Sequence, residues 1–184
     1  MGSLLGFVVS KDGIYIDPLK IAAILALLAQ TNIVELQSLQ GEANFLHRFM
    51  CNFIEKTHSY ICLLKKDTLF FWDDQAQWVF DNIKHALTHS PMIHPLDYSK
   101  DFLLYIVAST TTIAMVLVKE NPDGQEHVIY YASKNLMDSE TWYSRVEKLA
   151  LATVISILKF IQYIFLRKNT VLADQNPIYY ILTW

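Results

Sequence analysis

Two kinds of hydrophobic spacing run along this chain, and they divide it into halves. Residues 4–17, LLGFVVSKDGIYID, set two β-type runs on either side of Lys11-Asp12-Gly13, a strong hairpin signal. Asp17-Pro18 then opens a helix, with Asp at the cap and Pro at the first helical position, and Ile21, Ile24, Leu25 and Leu28 are expected on one face. Thr31 or Asn32 caps the next helix; if Asn32 is the cap, Glu35 completes a capping box. Leu36, Leu39, Ala43, Leu46, Phe49 and Met50 follow at close to a helical period. A further helix is expected over 55–65, ending at Lys65-Lys66, where basic residues suit the negative end of the dipole. Residues 70–91 start from an Asp cap and continue through Ala76, Val79, Phe80, Ile83 and Leu87 until Pro91 stops them.

Beyond IHPLDYSK the period becomes two. Strands are expected at 102–108, 112–119 and 127–133, with Asn121-Pro122-Asp123-Gly124 as the turn joining the last two. A long helix over 139–165, a strand at 169–173 and a short helix from Pro177 complete the pattern. The fold class is therefore α/β (α+β): a hairpin and helical cluster over 1–95, then a β-β-β-α-β-α unit over 96–184.

Composition supports a folded chain: 53% of residues are hydrophobic and 18% charged, well outside the disordered range. The net charge of −3 argues against a strong free-standing nucleic-acid binder, although a locally basic face is compatible with it. Cys51 and Cys62 match no zinc spacing and are expected as free or buried thiols in a reducing compartment. The start of the chain lacks a signal-peptide pattern. Residues 21–29 are too short to cross a bilayer, and 149–166 are interrupted by Lys159 and Gln162, so a mostly buried helix is expected there and no membrane partner.

Five stretches carry a resemblance. LLGFVVSKDGIYIDPLKIAAI resembles the palm end and thumb start of gypsy-type LTR retrotransposon Pol polyproteins, and ELQSLQGEANFLHRFMCNF resembles their thumb segment LxSFLGLxNYYRRFIxNF. LLKKDTLFFWDDQAQWVFDNIKHALTHSPMIHPLDYSKDFLLY is similar to the joint between thumb and RNase H domain. HVIYYASKNLMDSETWYSRVEKLALATV resembles PIAYASRxLxxxExxYSxxEKExLAxV, and VLADQNPIYYIL resembles VxTDHxPLxxLL. The order is the family's own. The resemblance implies a thumb-like first half and an RNase H-like second half, with RNA-directed DNA synthesis and RNA:DNA hybrid hydrolysis as the ancestral activities of a much longer polyprotein. It implies an intracellular setting, cytoplasmic or nuclear, and RNA:DNA hybrid or other Pol segments as partners.

The family's catalytic residues transfer poorly. Its polymerase needs a YxDD turn, and none occurs here. Its RNase H uses acids clustered around two Mg²⁺ ions. Where the family has YTDAS this chain has YIVAS, so Val107 stands at the first acid position; where it has EKE the chain has EKL, so Leu149 stands at the second. The third acid is retained as Asp174, a relic metal ligand or a plain strand-end residue, and the fourth is expected beyond Trp184. Glu147 cannot replace an acid at 149, because two helical positions turn it about 200° away. No cofactor is expected for this chain, although Mg²⁺ serves the family. The chain is thus expected to be a catalytically inactive, truncated relic of the family, or a non-catalytic interaction or scaffold module with residual duplex binding.

Other positions carry weaker signals. His47 and Arg48 stand where the family's thumb has two basic residues, implying phosphate contacts. Lys65, Lys66, Lys84 and His85 are expected as surface, Trp72 as a core anchor, and His58, His85, His89 and His94 show no metal-site spacing. Ile161 and Gln162 replace the family's basic KFRHYL positions, while Trp78 and Trp142 are bulky for their places. Such changes, with the family's fifth strand and closing helix missing, predict uncovered apolar surface and poor solubility.

Overall fold

The computed structural model describes residues 2–64, 69–121 and 123–182. Its first sheet is antiparallel: β1 (Gly2–Leu4), β2 (Phe7–Val9) and β3 (Ile14–Ile16), in that order. The expected hairpin is β2–β3, held by the Ser10 hydroxyl, which accepts from the Asp12 and Gly13 amides. The extra strand β1 arises because Leu5 and Gly6 both take positive φ, 51° and 78°, closing a tight turn inside what reads as one apolar run.

Four helices pack around the first core. Asp17 caps α1 (Pro18–Ala26), its carboxylate accepting from the Leu19 amide at 2.9 Å. Ile24 is buried, but Leu25 is exposed and Leu28 lies outside the helix at 83% exposure, so only part of the expected face is realised. The reason is distant in sequence: Lys84 donates to the Leu25 and Leu27 carbonyls and takes over the helix end. Asn32 caps α2 (Ile33–Leu46) through the Glu35 amide, while the Glu35 carboxylate reaches back to Thr31 rather than to Asn32. A 3₁₀ turn (His47–Phe49) follows, then α3 (Phe53–Ile61), another 3₁₀ turn (Cys62–Leu64), and α4 (Asp74–Thr88) capped by Asp73. The periodic residues Leu36, Leu39, Ala43, Leu46, Phe49 and Met50 are all buried, as are Ala76, Val79, Phe80, Ile83 and Leu87. Lys65 and Lys66 lie outside the described residues.

The second sheet is mixed, in the order β6-β5-β4-β7. β4 (Phe102–Ala108), β5 (Thr112–Glu120) and β6 (Glu126–Asn135) form an antiparallel meander, and β7 (Asn169–Leu172) returns parallel to β4. The long helix expected over 139–165 is two helices, α5 (Asp138–Thr141) and α6 (Arg145–Ile164). They break at Ser144, which caps α6: its hydroxyl accepts from the Glu147 amide, and the Glu147 carboxylate accepts from the Ser144 amide. α6 lays Leu149, Ala152 and Phe160 on Phe102, Leu104, Ile106 and Ala108 of β4. The last element is α7 (Pro177–Leu182).

The segment around Ile93 and His94 joins the first sheet to the second. Ile14 and Ile93 exchange backbone hydrogen bonds at 2.8 and 2.9 Å, and the His94 amide donates to the Val128 carbonyl. Gly13 is needed there, since a Cβ would sit 2.4 Å from the Ile93 carbonyl oxygen. The Ile54 amide donates to the Ser133 hydroxyl of β6.

Candidate functional site

β4, β7 and the first turn of α6 converge at one end of the second sheet. Even-numbered residues of β4 face α6 and are buried; Val107, an odd one, is 59% exposed on the other face. Leu149 belongs to the helix side and is fully buried in the core with Leu104 and Ile106. Val107 thus points away from the side of the sheet on which Leu149 is packed. Asp174 lies two residues past Leu172, the last β7 residue paired with β4, which pairs with Tyr105; Val107 lies two residues past Tyr105. Val107 and Asp174 thus each lie two residues past that last pair.

Asp174 is already engaged. Its Oδ2 accepts from Arg145 Nε at 2.7 Å and lies 2.5 Å from Arg145 Nη2, both side chains being about half exposed. One helical turn on, Lys148, a residue only 7% exposed, donates from Nζ to the Thr110 carbonyl at 3.0 Å. Ala108, Ser109, Thr110, Arg145 and Lys148 line a pocket of about 490 Å³. A pair of divalent cations needs carboxylates that bridge them. Here the donor set is one carboxylate held by a guanidinium, beside valine and leucine, and it does not fit such a pair. Among the described residues no group of three or more His, Cys, Asp or Glu could hold a metal ion. Neither Arg145 nor Lys148 stood out in the sequence reading. Their signal was the S-x-x-E spacing of Ser144 and Glu147, which starts a helix and sets two cations three residues apart on its first turns.

His47 and Arg48 face the seam between the first half and the second sheet. The Arg48 guanidinium lies 5.8 Å from the Phe7 ring centre and 5.5 Å from that of Tyr130 on β6. His47 packs against Phe53 and Tyr130 with Nδ1 2.6 Å from the Asn44 carbonyl. Burial, followed by the Lys159 and Arg48 charges, pulls the His47 pKa down against that hydrogen bond. Lys84, expected as plain surface, instead closes α1 and lies over the Phe80 ring. Trp72 is half-buried, packs on Phe70 and Phe80, and donates from Nε1 to Gln77 at 2.9 Å. Trp78 and Trp142 are exposed. Cys51 and Cys62 are free thiols. His94 contacts His127 at 2.7 Å, and His85 stacks on His89. No helix among the described residues is long and apolar enough to cross a membrane.

Comparisons with known proteins agree with this architecture. The sequence model of the family described as the RNase H-like domain found in reverse transcriptase matches residues 72–171. The retrovirus-related Pol polyprotein from transposon 297 of Drosophila melanogaster is 28% identical over 179 residues, 96% of this chain. The transposon Tf2-3 polyprotein of Schizosaccharomyces pombe is 28% identical over 160 residues, 87% of this chain. The chain spans only 16% and 12% of those relatives. Among solved structures, the foamy viral protease-reverse transcriptase in complex with dsDNA superimposes with a TM-score of 0.84 at 20% identity, covering 100% of this chain and 38% of that one. The same viral enzyme in complex with RNA/DNA hybrid gives 0.79 at 23% identity, over 92% of this chain and 23% of that one. These structural likenesses are of fold.

Proposed function

The chain belongs to the family of RNase H-like domains found in reverse transcriptase, and on that premise we propose that it is an RNase H-like unit of retrotransposon type that does not hydrolyse its substrate. In this reading residues 1–95 form the thumb-like part and 96–184 the RNase H-like part, within a larger Pol-type product acting in the cytoplasm or nucleus. Its partner is an RNA:DNA hybrid duplex. The observation that carries the proposal is the state of the acid positions: Val107 exposed, Leu149 sealed in the core, and Asp174 paired with Arg145. Two-metal hydrolysis needs several carboxylates to place both ions and the attacking water. One carboxylate with a guanidinium against it supplies neither the charge nor the bridging oxygens.

The test is incubation of the chain with a labelled RNA:DNA hybrid in magnesium and in manganese. No cleavage above a chelator control is expected in either. Metal-dependent cleavage that survives repurification would overturn the reading, and Asp174→Asn would then show whether the remaining acid is responsible.

A scaffold role is the second reading, and one feature favours it. Val154, Ile157, Leu158 and Ile161 run exposed along α6 to Phe165 at its C-terminal cap, a strip suited to burial against protein. Retention on hybrid duplex that falls steeply with salt favours the nucleic-acid reading, since only phosphate contacts release counterions.

A further inference from the structure

The pocket at the start of α6 has a charge pattern opposite to that of a metal site. Its lining holds two cationic side chains, Arg145 and Lys148, and neither of the nearby carboxylates, while the Ser109 hydroxyl there is taken up by Thr111 and Thr112. Asp174 approaches Arg145 from the β7 side, and Glu147 turns back to the Ser144 amide on the helix cap. Lys148 is 7% exposed, and an ammonium withdrawn that far from water needs its donors satisfied. It carries three, and its one hydrogen bond among the described residues goes to the Thr110 carbonyl. The cations also sit at the wrong end of a 20-residue helix, whose N-terminus carries partial positive charge and favours anions.

We propose that this pocket binds a phosphate group, held by Lys148 and Arg145. The fixed cations take the part that bound metal ions would otherwise play in holding a phosphate, without activating water. The inference deepens the non-hydrolytic duplex-binding reading and rests on it for the identity of the ligand, a backbone phosphate. A phosphate carried on a small ester has the same chemistry, and the test separates the two sources.

The probe is inorganic phosphate, titrated into the full chain while the backbone amides of residues 108–110 and 145–148 are followed by NMR against chloride at equal ionic strength. Saturable shifts confined to those amides are expected. Lys148→Met, which keeps the apolar stem, should weaken phosphate binding about tenfold, the loss of one charge-assisted hydrogen bond. Asp174→Asn should tighten it, because the competing carboxylate on Arg145 is neutralised; a pocket that merely packs would show no such gain. In the second arm, anisotropy of a labelled RNA:DNA hybrid is measured with the same variants. Weaker hybrid binding by Lys148→Met with a shallower salt slope assigns the site to backbone phosphate. Unchanged hybrid binding alongside intact phosphate shifts assigns it to a small phosphate ester. If no hybrid binds at all, the duplex-binding reading fails, while the phosphate shifts still decide the pocket. Absence of saturable shifts, or their persistence in Lys148→Met, would overturn the proposal.

Discussion

Val107 and Leu149, the two positions at which we propose that acids have been lost, differ in environment, so placing carboxylates there has unequal consequences. Leu149 is fully buried against the sheet, and Leu149→Glu places a carboxylate among hydrocarbon with no partner. The expected loss is about 3–5 kcal/mol, read from the shift of the urea midpoint. Val107 is exposed, and Val107→Asp should cost about 1 kcal/mol or less. An equal effect of the two substitutions would contradict the opposite-face arrangement. Acid sensitivity is also written at this scale. Glu35 is held below the usual carboxylate range by the Thr31 amide and hydroxyl, Glu140 by the Met137 amide ahead of Lys134, and Glu147 by the Ser144 hydroxyl and amide. His47 and His94 are lowered too, chiefly by burial. A group whose pKa is depressed by folding stabilises the fold above its unfolded value and loses that contribution as pH falls through the folded one. Stability should therefore decline from about pH 6.5, where unfolded histidine titrates, and faster below about pH 4.3, the unfolded Glu value. Denaturation midpoints measured down the pH scale check this, and Glu35→Gln, Glu140→Gln and Glu147→Gln together should flatten the lower limb.

Glycines test the elements, because one substitution has opposite signs at two places. Gly41 lies exposed in the middle of α2 with nothing within 4 Å of an added Cβ, so Gly41→Ala should stabilise by about 0.5–1 kcal/mol through helix propensity. Gly13 ends the β2–β3 turn against the Ile93 backbone, where an added Cβ meets carbonyl oxygen. Gly13→Ala must push the hairpin off the segment that links the two halves, and a loss of about 2 kcal/mol or more is expected. Paired thermal melts of the two variants decide it, with a raised Tm for the first and a lowered Tm for the second.

Over the whole molecule, one surface stands unlike the rest. The outer face of α6 exposes Leu158 and Ile161, and the turn after it exposes Phe165 and Leu166, which with Ile161 and Gln162 line a shallow apolar hollow. Because these side chains contribute little to the core, Leu158→Lys with Ile161→Arg should leave the Tm within a few degrees of the parent while raising the concentration at which light scattering sets in. A large drop in Tm instead would mean that the strip supports the fold from inside.

Several features were readable before any coordinates. The cap at Asp17, a cap at Thr31 or Asn32 and an Asp cap before α4, the buried faces of α2 and α4, and the three strands of the meander follow from local rules: a short side chain that accepts an amide, and apolar residues repeating at the period of their element. The identities at 107, 149 and 174 were legible for the same reason, being properties of single positions. What the linear chain left open was decided by contacts between distant residues. Lys84 ends α1 from a different helix, Arg48 sits between rings of two sheets, and Arg145 meets Asp174 across 29 residues. No spacing along a sequence encodes such a meeting, because it depends on how whole elements pack. Sequence alone placed valine at 107, leucine at 149 and aspartate at 174, and only packing gathered two cations into one pocket beside that aspartate.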